Sequence, residues 1–241
     1  MNPPCYDLHT HIVPGVDDGP VTPGEALRII EKMRQAMPKG SVVAATSHFS
    51  TNMAYLAALS RADRSCRFVE RASDDWLHVI SAGELLLGMR KSDIYRLVSY
   101  PGTRTVLVEF TQGIFWFSVL RRIVRLFKAG YRPLLAHAER YKWATAARLR
   151  LLAGMGAGVS MSMRSLSIPS CVKRAEWIIS SGMCHIVTSD CHTIRDMVLG
   201  DDARETVERL RPGGWKTLSE ENPRIILDDC SLPPLGGAGR G

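Results

Sequence analysis

Six short segments, spread from one end of the chain to the other, each finish in side chains able to bind a metal. They are Asp7-Leu8-His9-Thr10-His11, Thr46-Ser47-His48, Gly83-Glu84, Val108-Glu109, Ala136-His137 and Ser189-Asp190-Cys191-His192. Most follow a run of β-branched or small apolar residues, which reads as a buried strand. Of the seven histidines, only His78 and His185 lie outside these segments. Side chains so distant in sequence share one site only if the strands that carry them end on one rim. Carboxylates suit hard cations such as Mg and Mn, whereas imidazole suits Zn, Fe, Cu and Ni, so the mixed set points to a divalent transition-metal cluster.

Between the strands the pattern is helical. Thr22-Pro23-Gly24-Glu25 is a capping box with proline at the first helical position, and Ala26, Leu27, Ile30, Met33 and Met37 keep one face of the helix it opens. Further helices are expected over 53–72, after a cap at Ser92, over 118–129, near 145–152, over 170–181 and near 202–211. Strands are expected to end at Leu8 and to cover 41–45, 77–82, 105–110, 133–136, 158–162 and 185–189. Seven strand–helix repeats joined by right-handed crossovers give an α/β fold, a parallel sheet closed as a barrel. Functional residues of parallel β/α folds lie at the C-terminal strand ends, and all six segments obey that rule. A single domain over 1–231 is expected, with the Pro- and Gly-rich stretch 232–241 as a flexible tail.

The formal net charge of +7 permits anionic partners, yet the basic residues are dispersed except around Arg121, Arg122, Arg125 and Lys128. Those four read as a solvated helix face, so no nucleic-acid partner is expected. The six cysteines show no CxxC pair, which fits reduced thiols in the cytoplasm. No signal peptide or membrane-length apolar run is visible, and no membrane insertion is expected. No cysteine is followed by arginine at the six-residue offset of a C-x5-R phosphate loop, and no G-x-x-x-x-G-K-[ST] loop is present. Covalent cysteine catalysis and nucleotide-driven phosphotransfer are thereby disfavoured.

The first motif, from Asp7 through Val16-Asp17-Asp18-Gly19, resembles the opening motif of the polymerase and histidinol phosphatase (PHP) superfamily. More narrowly, it is similar to the metal-dependent protein-tyrosine phosphatases of bacterial capsule and exopolysaccharide operons. The resemblance continues through Ala45-Thr46-Ser47-His48, Ala82-Gly83-Glu84, Val106-Leu107-Val108-Glu109-Phe110, Ala136-His137-Ala138-Glu139-Arg140-Tyr141 and Thr188-Ser189-Asp190-Cys191-His192, and covers about residues 5–227. It implies a PHP-type distorted (β/α)7 barrel holding two or three divalent metals at the strand ends, most often Mn, with Fe or Zn as alternatives.

The metal ligands implied are His9, His11, Asp18, His48, Glu84, Glu109, His137, Asp190 and His192. Asp18 is preferred to Asp17 because the superfamily's aspartate directly precedes the loop glycine. Asp17 is then a loop cap or an acceptor that orients a neighbouring ligand. Arg140 matches the arginine of the family's His-Pro-Glu-Arg motif, here with Ala138 in place of proline, and would clamp phosphate oxygens. Arg195 is a second phosphate-binding candidate, closer to Asp190 in sequence than the family pattern places it. Cys191 occupies a small-residue position between two ligands.

The reaction implied is hydrolysis of a phosphoric monoester, with water acidified by the cations and Arg140 neutralising charge on the transferring oxygens. A phenolate leaving group, of pKa about 10, needs less protonation than an alkoxide. His48 or a water would supply that proton. The expected substrate is phosphotyrosine on the tail of a bacterial tyrosine kinase that regulates polysaccharide synthesis, with the oligomeric state left open. The alternatives are a small-molecule phosphoesterase such as a histidinol phosphatase, and a non-catalytic scaffold that binds a kinase.

Overall fold

Seven strands hydrogen-bond in sequential order, all parallel: β1 (Tyr6–Thr10), β2 (Ser41–Phe49), β3 (Leu77–Leu86), β4 (Thr105–Glu109), β5 (Arg132–Leu135), β6 (Gly158–Ser162) and β7 (Ile186–Thr188). The computed structural model describes residues 3–49, 66–87 and 93–236. Beyond β7 the chain returns to β1: Asp190 N donates to His9 O at 2.9 Å and His11 N to Cys191 O at 2.8 Å. These bonds lie across the seam of a nearly closed barrel, as the seven repeats imply.

Helices fill the crossovers. They are α1 (Pro23–Ala36), α2 (Asp93–Val98), α3 (Trp116–Lys128), α4 (Ala146–Gly154), α5 (Val172–Ser180) and α6 (Asp201–Leu210). Residues 66–72 are also helical. A last helical run passes from Gly214–Lys216 through a π-helical turn, Thr217–Glu221, into Asn222–Leu227. The earlier part of the helix expected over 53–72, and the cap expected at Ser92, lie outside the described residues. The capping box of α1 is formed, with Thr22 Oγ1 accepting from Glu25 N at 3.3 Å and Glu25 Oε2 accepting from Thr22 N at 3.1 Å.

Some faces differ from the sequence expectation. In α1, Ile29 is buried and Leu27 is 43% exposed, because the buried stripe runs through Ala26, Ile29, Ile30 and Met33. In α3, where the apolar spacing of Leu120, Ile123, Val124 and Phe127 predicts one buried face, the buried positions are Val119, Ile123 and Leu126, while Leu120 and Phe127 pack at the margin. Arg122 of that helix donates to Leu87 O at 2.6 Å, so this cation of the cluster is tied to the barrel. The first part of the stretch expected as a tail, residues 232–236, makes some contacts with the barrel. Leu232 lies against the inner cluster, Leu235 is buried, His185 Nε2 is 2.9 Å from Pro233 O, and Gly236 N donates to Gly182 O. Two leucines among the prolines and glycines give the segment an apolar surface to bury.

The sheet separates two clusters. The larger lies between strands and helices and takes Val43, Ala45, Val79, Leu85, Val106, Val108, Leu135 and Val187. The smaller fills the barrel interior with Leu8, Ala44, Ala82, Leu107, Leu134, Ala136 and Ile186, closed below by Tyr100 and Ile226. Side chains alternate along a strand with a period of two. The inward positions therefore run 44, 46, 48 on β2, 82, 84 on β3 and 107, 109 on β4. Each series starts on a core residue and ends on His48, Glu84 or Glu109.

Candidate metal centre

His48 and Glu84 lie within longer strands than expected and face each other in register, as partners of one β2–β3 pair. Glu109 closes β4, His137 follows β5, and Asp190 and His192 follow β7. His9 needs a further device. Asp7 pairs with Val43 and Thr10 with Ala45, so β1 has one residue more than β2 across that interval. Such a bulge re-aims the side chains that follow it. Asp7, wholly buried, holds it in place: its Oδ1 accepts from Ser189 N at 3.0 Å and from His9 N at 3.4 Å. Burial pushes its carboxyl up to about 6.

Two rim residues have left-handed backbones although neither is glycine: His137 at φ 32° and Asp190 at φ 54°. That conformation costs about 1–3 kcal/mol and persists where the surroundings over-determine it, which is characteristic of functional sites. Gly19 is required for a different reason. A Cβ there would stand 2.0 Å from His11 O, so only glycine lets the loop fold back and bring Asp17 and Asp18 to the rim.

All nine expected ligands come together in four overlapping donor groups: His11, Asp18, His48 and His192; His9, His11 and Asp190; His9, Glu84 and His137; and His48, Glu84 and Glu109. Glu84 Oε2 lies 3.1 Å from His9 Nε2, 3.2 Å from His11 Nε2 and 3.1 Å from His48 Nδ1. The Nε2 atoms of His9 and His11 face each other at 3.1 Å. Glu84 Oε2 is nevertheless buried with no hydrogen bond of proper geometry among the described residues. Lone-pair atoms aimed at a common point rather than at donors are what a cation requires, so these residues fit divalent metals.

The charge balance agrees. Burial opposes ionisation of Glu84, but the imidazoles of His9, His11 and His137 hold its carboxyl well below the usual range. Burial likewise opposes charging of His11, and Asp17 and Glu84 nonetheless raise it to about 10. The carboxylates that favour a positive charge at His11 would favour a cation there as well, and ligands must be deprotonated to bind metal. Burial, with Glu84 beside it, lifts Glu109 to about 7. Burial and the neighbouring His11 lower His192 to about 4.

Asp17 is an orienting acceptor. Its Oδ2 takes His11 Nδ1 at 2.8 Å and His48 N at 3.0 Å, and its Oδ1 takes Gly19 N at 3.1 Å. This places the His11 proton on Nδ1 and leaves Nε2 directed at the cluster, as carboxylate–histidine–metal sets require. Both His48 nitrogens face carboxylates, Nδ1 toward Glu84 and Glu109 and Nε2 toward Asp18 at 3.3 Å. That arrangement suits a ligand better than the proton donor also considered for it.

Arg140 stands at the end of a short turn (Ala138–Arg140) and pairs with Asp190 Oδ2. Its neighbour Glu139, fully buried, accepts from Ser165 Oγ at 2.5 Å and from Ser162 N at 3.3 Å, and burial raises its carboxyl to about 7. Arg174 fastens the same turn through the carbonyls of Glu139, Tyr141 and Ala144. A cavity of about 500 Å³ opens beside it, lined by Arg140, Lys142, Arg164 and Arg174 among others. Arg195 is exposed on the Thr193–Asp196 turn, and among the described residues its side chain joins no member of the cluster. Cys191 is buried with Sγ donating to Thr193 O at 3.3 Å, burial pushes the thiol far up, and it belongs to none of the four donor groups.

Sequence reasoning left Asp7, Tyr100 and Arg164 without roles. Asp7 and Tyr100 act through backbone atoms, with Tyr100 Oη donating to Leu8 O at 2.6 Å. Asp7 did stand in the first motif, which was the available signal.

The fold and the donor set together define a PHP-type β/α barrel with a rim able to hold divalent cations. The chain belongs to the CpsB/CapC family of capsular polysaccharide synthesis, whose family model matches residues 5–228. It is 26% identical over 241 residues to the tyrosine-protein phosphatase CpsB of Streptococcus pneumoniae, covering 92% of this chain and 98% of that protein. Among solved structures it superposes on a chain from the crystal structures of YwqE from Bacillus subtilis and CpsB from Streptococcus pneumoniae, described as unique metal-dependent tyrosine phosphatases. The TM-score is 0.78 at 22% identity, over 98% of this chain and 100% of that one. A histidinol phosphate phosphatase from Lactococcus lactis, complexed with Zn, L-histidinol and phosphate, shares the fold more distantly. That match has a TM-score of 0.53 at 13% identity, over 86% of this chain and 92% of that one. Among the described residues no helix is long and apolar enough to cross a membrane.

Proposed function

We propose that this chain is a metal-dependent protein-tyrosine phosphatase, hydrolysing phosphotyrosine on the tail of a bacterial tyrosine kinase that regulates capsule or exopolysaccharide synthesis. The observation that carries the reading is the convergence of four overlapping donor groups, two of them containing Glu84, with Arg140 paired to Asp190 and lining the basic cavity. Family membership and the activity named for the CpsB relative support the phosphotyrosine assignment. Divalent cations, with Mn the leading candidate, would supply Lewis acidity and an acidified water. The chain's own contribution is to fix the donors, keep His11 and His192 in their metal-binding tautomers, and present the Arg140 guanidinium to the phosphoryl oxygens. The cytoplasm is the compartment that the kinase tail implies.

The test is phosphate release by the purified, Mn-loaded protein from phosphotyrosine peptides, phosphoserine peptides and histidinol phosphate. Phosphotyrosine is expected to be cleaved fastest, and treatment with a chelator to abolish the activity. Preference for histidinol phosphate would move the assignment to a small-molecule phosphoesterase. Inactivity on all three after metal loading would leave the scaffold reading.

A further inference from the structure

Arg164, on the turn after β6 (Met163–Ser167), stands between the His192 loop and the basic cavity that Arg140 also lines. Its backbone N donates to Ser189 O at 3.3 Å, which ties its position to the strand end bearing Asp190. Its Nε pairs with Asp196 Oδ1 at 3.2 Å. The other oxygen of Asp196 accepts from His192 N at 2.8 Å and Thr193 N at 2.7 Å, so one carboxylate sets both the arginine and the histidine loop.

The remaining contact of Arg164 is of a different kind. Its Nη1 lies 3.1 Å from His192 Nδ1. That same Nδ1 is 2.8 Å from Asp190 O, and a carbonyl oxygen can only accept. The His192 proton therefore sits on Nδ1, which leaves Nε2 for the donor group it shares with His11, Asp18 and His48. An arginine N–H cannot donate to a nitrogen that already carries a proton. The guanidinium is held against His192 by Asp196, on the wall of the basic cavity, with an N–H directed at a group that cannot receive it. An oxyanion bound on the rim would offer the missing acceptor, and guanidinium groups match phosphate oxygens in geometry and charge.

We propose that Arg164 is a second phosphate-binding residue, gripping the substrate's phosphoryl oxygens from the β6 side while Arg140 grips them from the β5 side. It takes the role that sequence position alone had offered to Arg195, and Asp196 is its positioning residue. The proposal rests on the phosphatase reading of the rim for its substrate, but its test uses inorganic phosphate and needs no turnover.

The experiment measures inorganic phosphate affinity and metal content for the Mn-loaded protein and its Arg164→Ala, Arg164→Lys and Arg195→Ala variants. Loss of a charge-assisted hydrogen bond should weaken phosphate binding by about ten- to a hundredfold in Arg164→Ala, with metal content unchanged. Arg164→Lys should recover part of the loss, and Arg195→Ala should stay within about twofold of wild type. In turnover assays the Arg164→Ala defect should include a raised KM. Unchanged phosphate affinity in Arg164→Ala, parallel loss of metal, or a larger loss in Arg195→Ala would each overturn the proposal, as would absence of phosphate binding by the wild type. Phosphate binding that depends on Arg164, in a protein that cleaves no phosphotyrosine, would instead uphold this inference and refute the proposed substrate.

Discussion

At the scale of single residues, the proposed function separates side chains that would hold cations from those that would meet the substrate. On that reading His137, with Nε2 2.8 Å from Glu84 Oε1, would be of the first kind, and Arg140, paired with Asp190, of the second. Arg140→Ala is expected to reduce turnover by roughly 10²–10³-fold with metal content kept, the usual loss when one transition-state donor is removed. His137→Ala should lower turnover and bound metal together. Equal metal loss in the two variants would contradict the division. A histidine outside the site makes a different prediction. His185 is buried and neutral, accepting from Val159 N at 3.0 Å on Nδ1, and burial lowers it to about 4. Between that value and its ordinary pKa of about 6.5, the unfolded chain binds a proton that the folded chain refuses. Its stabilising contribution is thus complete above about pH 6.5 and lost as the pH falls toward 4, on the order of 3 kcal/mol in all. Urea unfolding from pH 7 to pH 4 should show that slope, and His185→Gln should flatten it. An identical slope in the variant would dismiss the assignment.

At the scale of elements, what the sequence made legible was periodicity. Short apolar runs ending in a ligand gave the strand order and the shared rim, because inward and outward residues alternate with a fixed period. The β1 bulge was not legible, since an extra residue leaves no mark on a five-residue strand and shows only against its partner. The true lengths of β2 and β3 were also hidden. Thr46, Ser47 and His48 look like loop residues until Glu84 is seen opposite His48. Arg164 escaped for a similar reason, as its relation to His192 exists only across the β6–β7 pair. Gly83 marks a close approach of neighbouring side chains to β3. A Cβ there would meet Phe49 Cδ2 at 2.5 Å and Val98 Cβ at 2.9 Å. Because Phe49 ends β2 and Val98 lies on α2, the added methyl would push three elements apart beside Glu84. Gly83→Ala should cost about 1–3 kcal/mol, the usual range for overpacking. Denaturant titration of the chelated protein would show it free of metal effects, and an unchanged midpoint would mean that Phe49 moves aside without penalty.

At the scale of the whole molecule, the donor groups draw on β1, β2, β3, β4 and the segments after β5 and β7, so cations would cross-link almost the entire rim. They would also span the seam between β1 and the end of β7, which in the protein alone is held by few backbone bonds. A ligand that binds only the folded state stabilises it by about 2.7 kcal/mol per site when free metal stands at 100 times its dissociation constant. For a chain of this length each kcal/mol shifts Tm by roughly 2–4 °C, so each filled site should raise Tm by roughly 5–10 °C. The gain should also be larger at neutral than at acidic pH, because protons compete with cations for the same imidazoles. Thermal unfolding with chelator, and again after Mn is restored, measures the effect. The rise should persist in Arg140→Ala and shrink in Glu84→Gln, whose side chain lies in two of the four donor groups. A Tm indifferent to chelation and to added Mn at neutral pH would mean that the rim does not bind the cations its geometry invites.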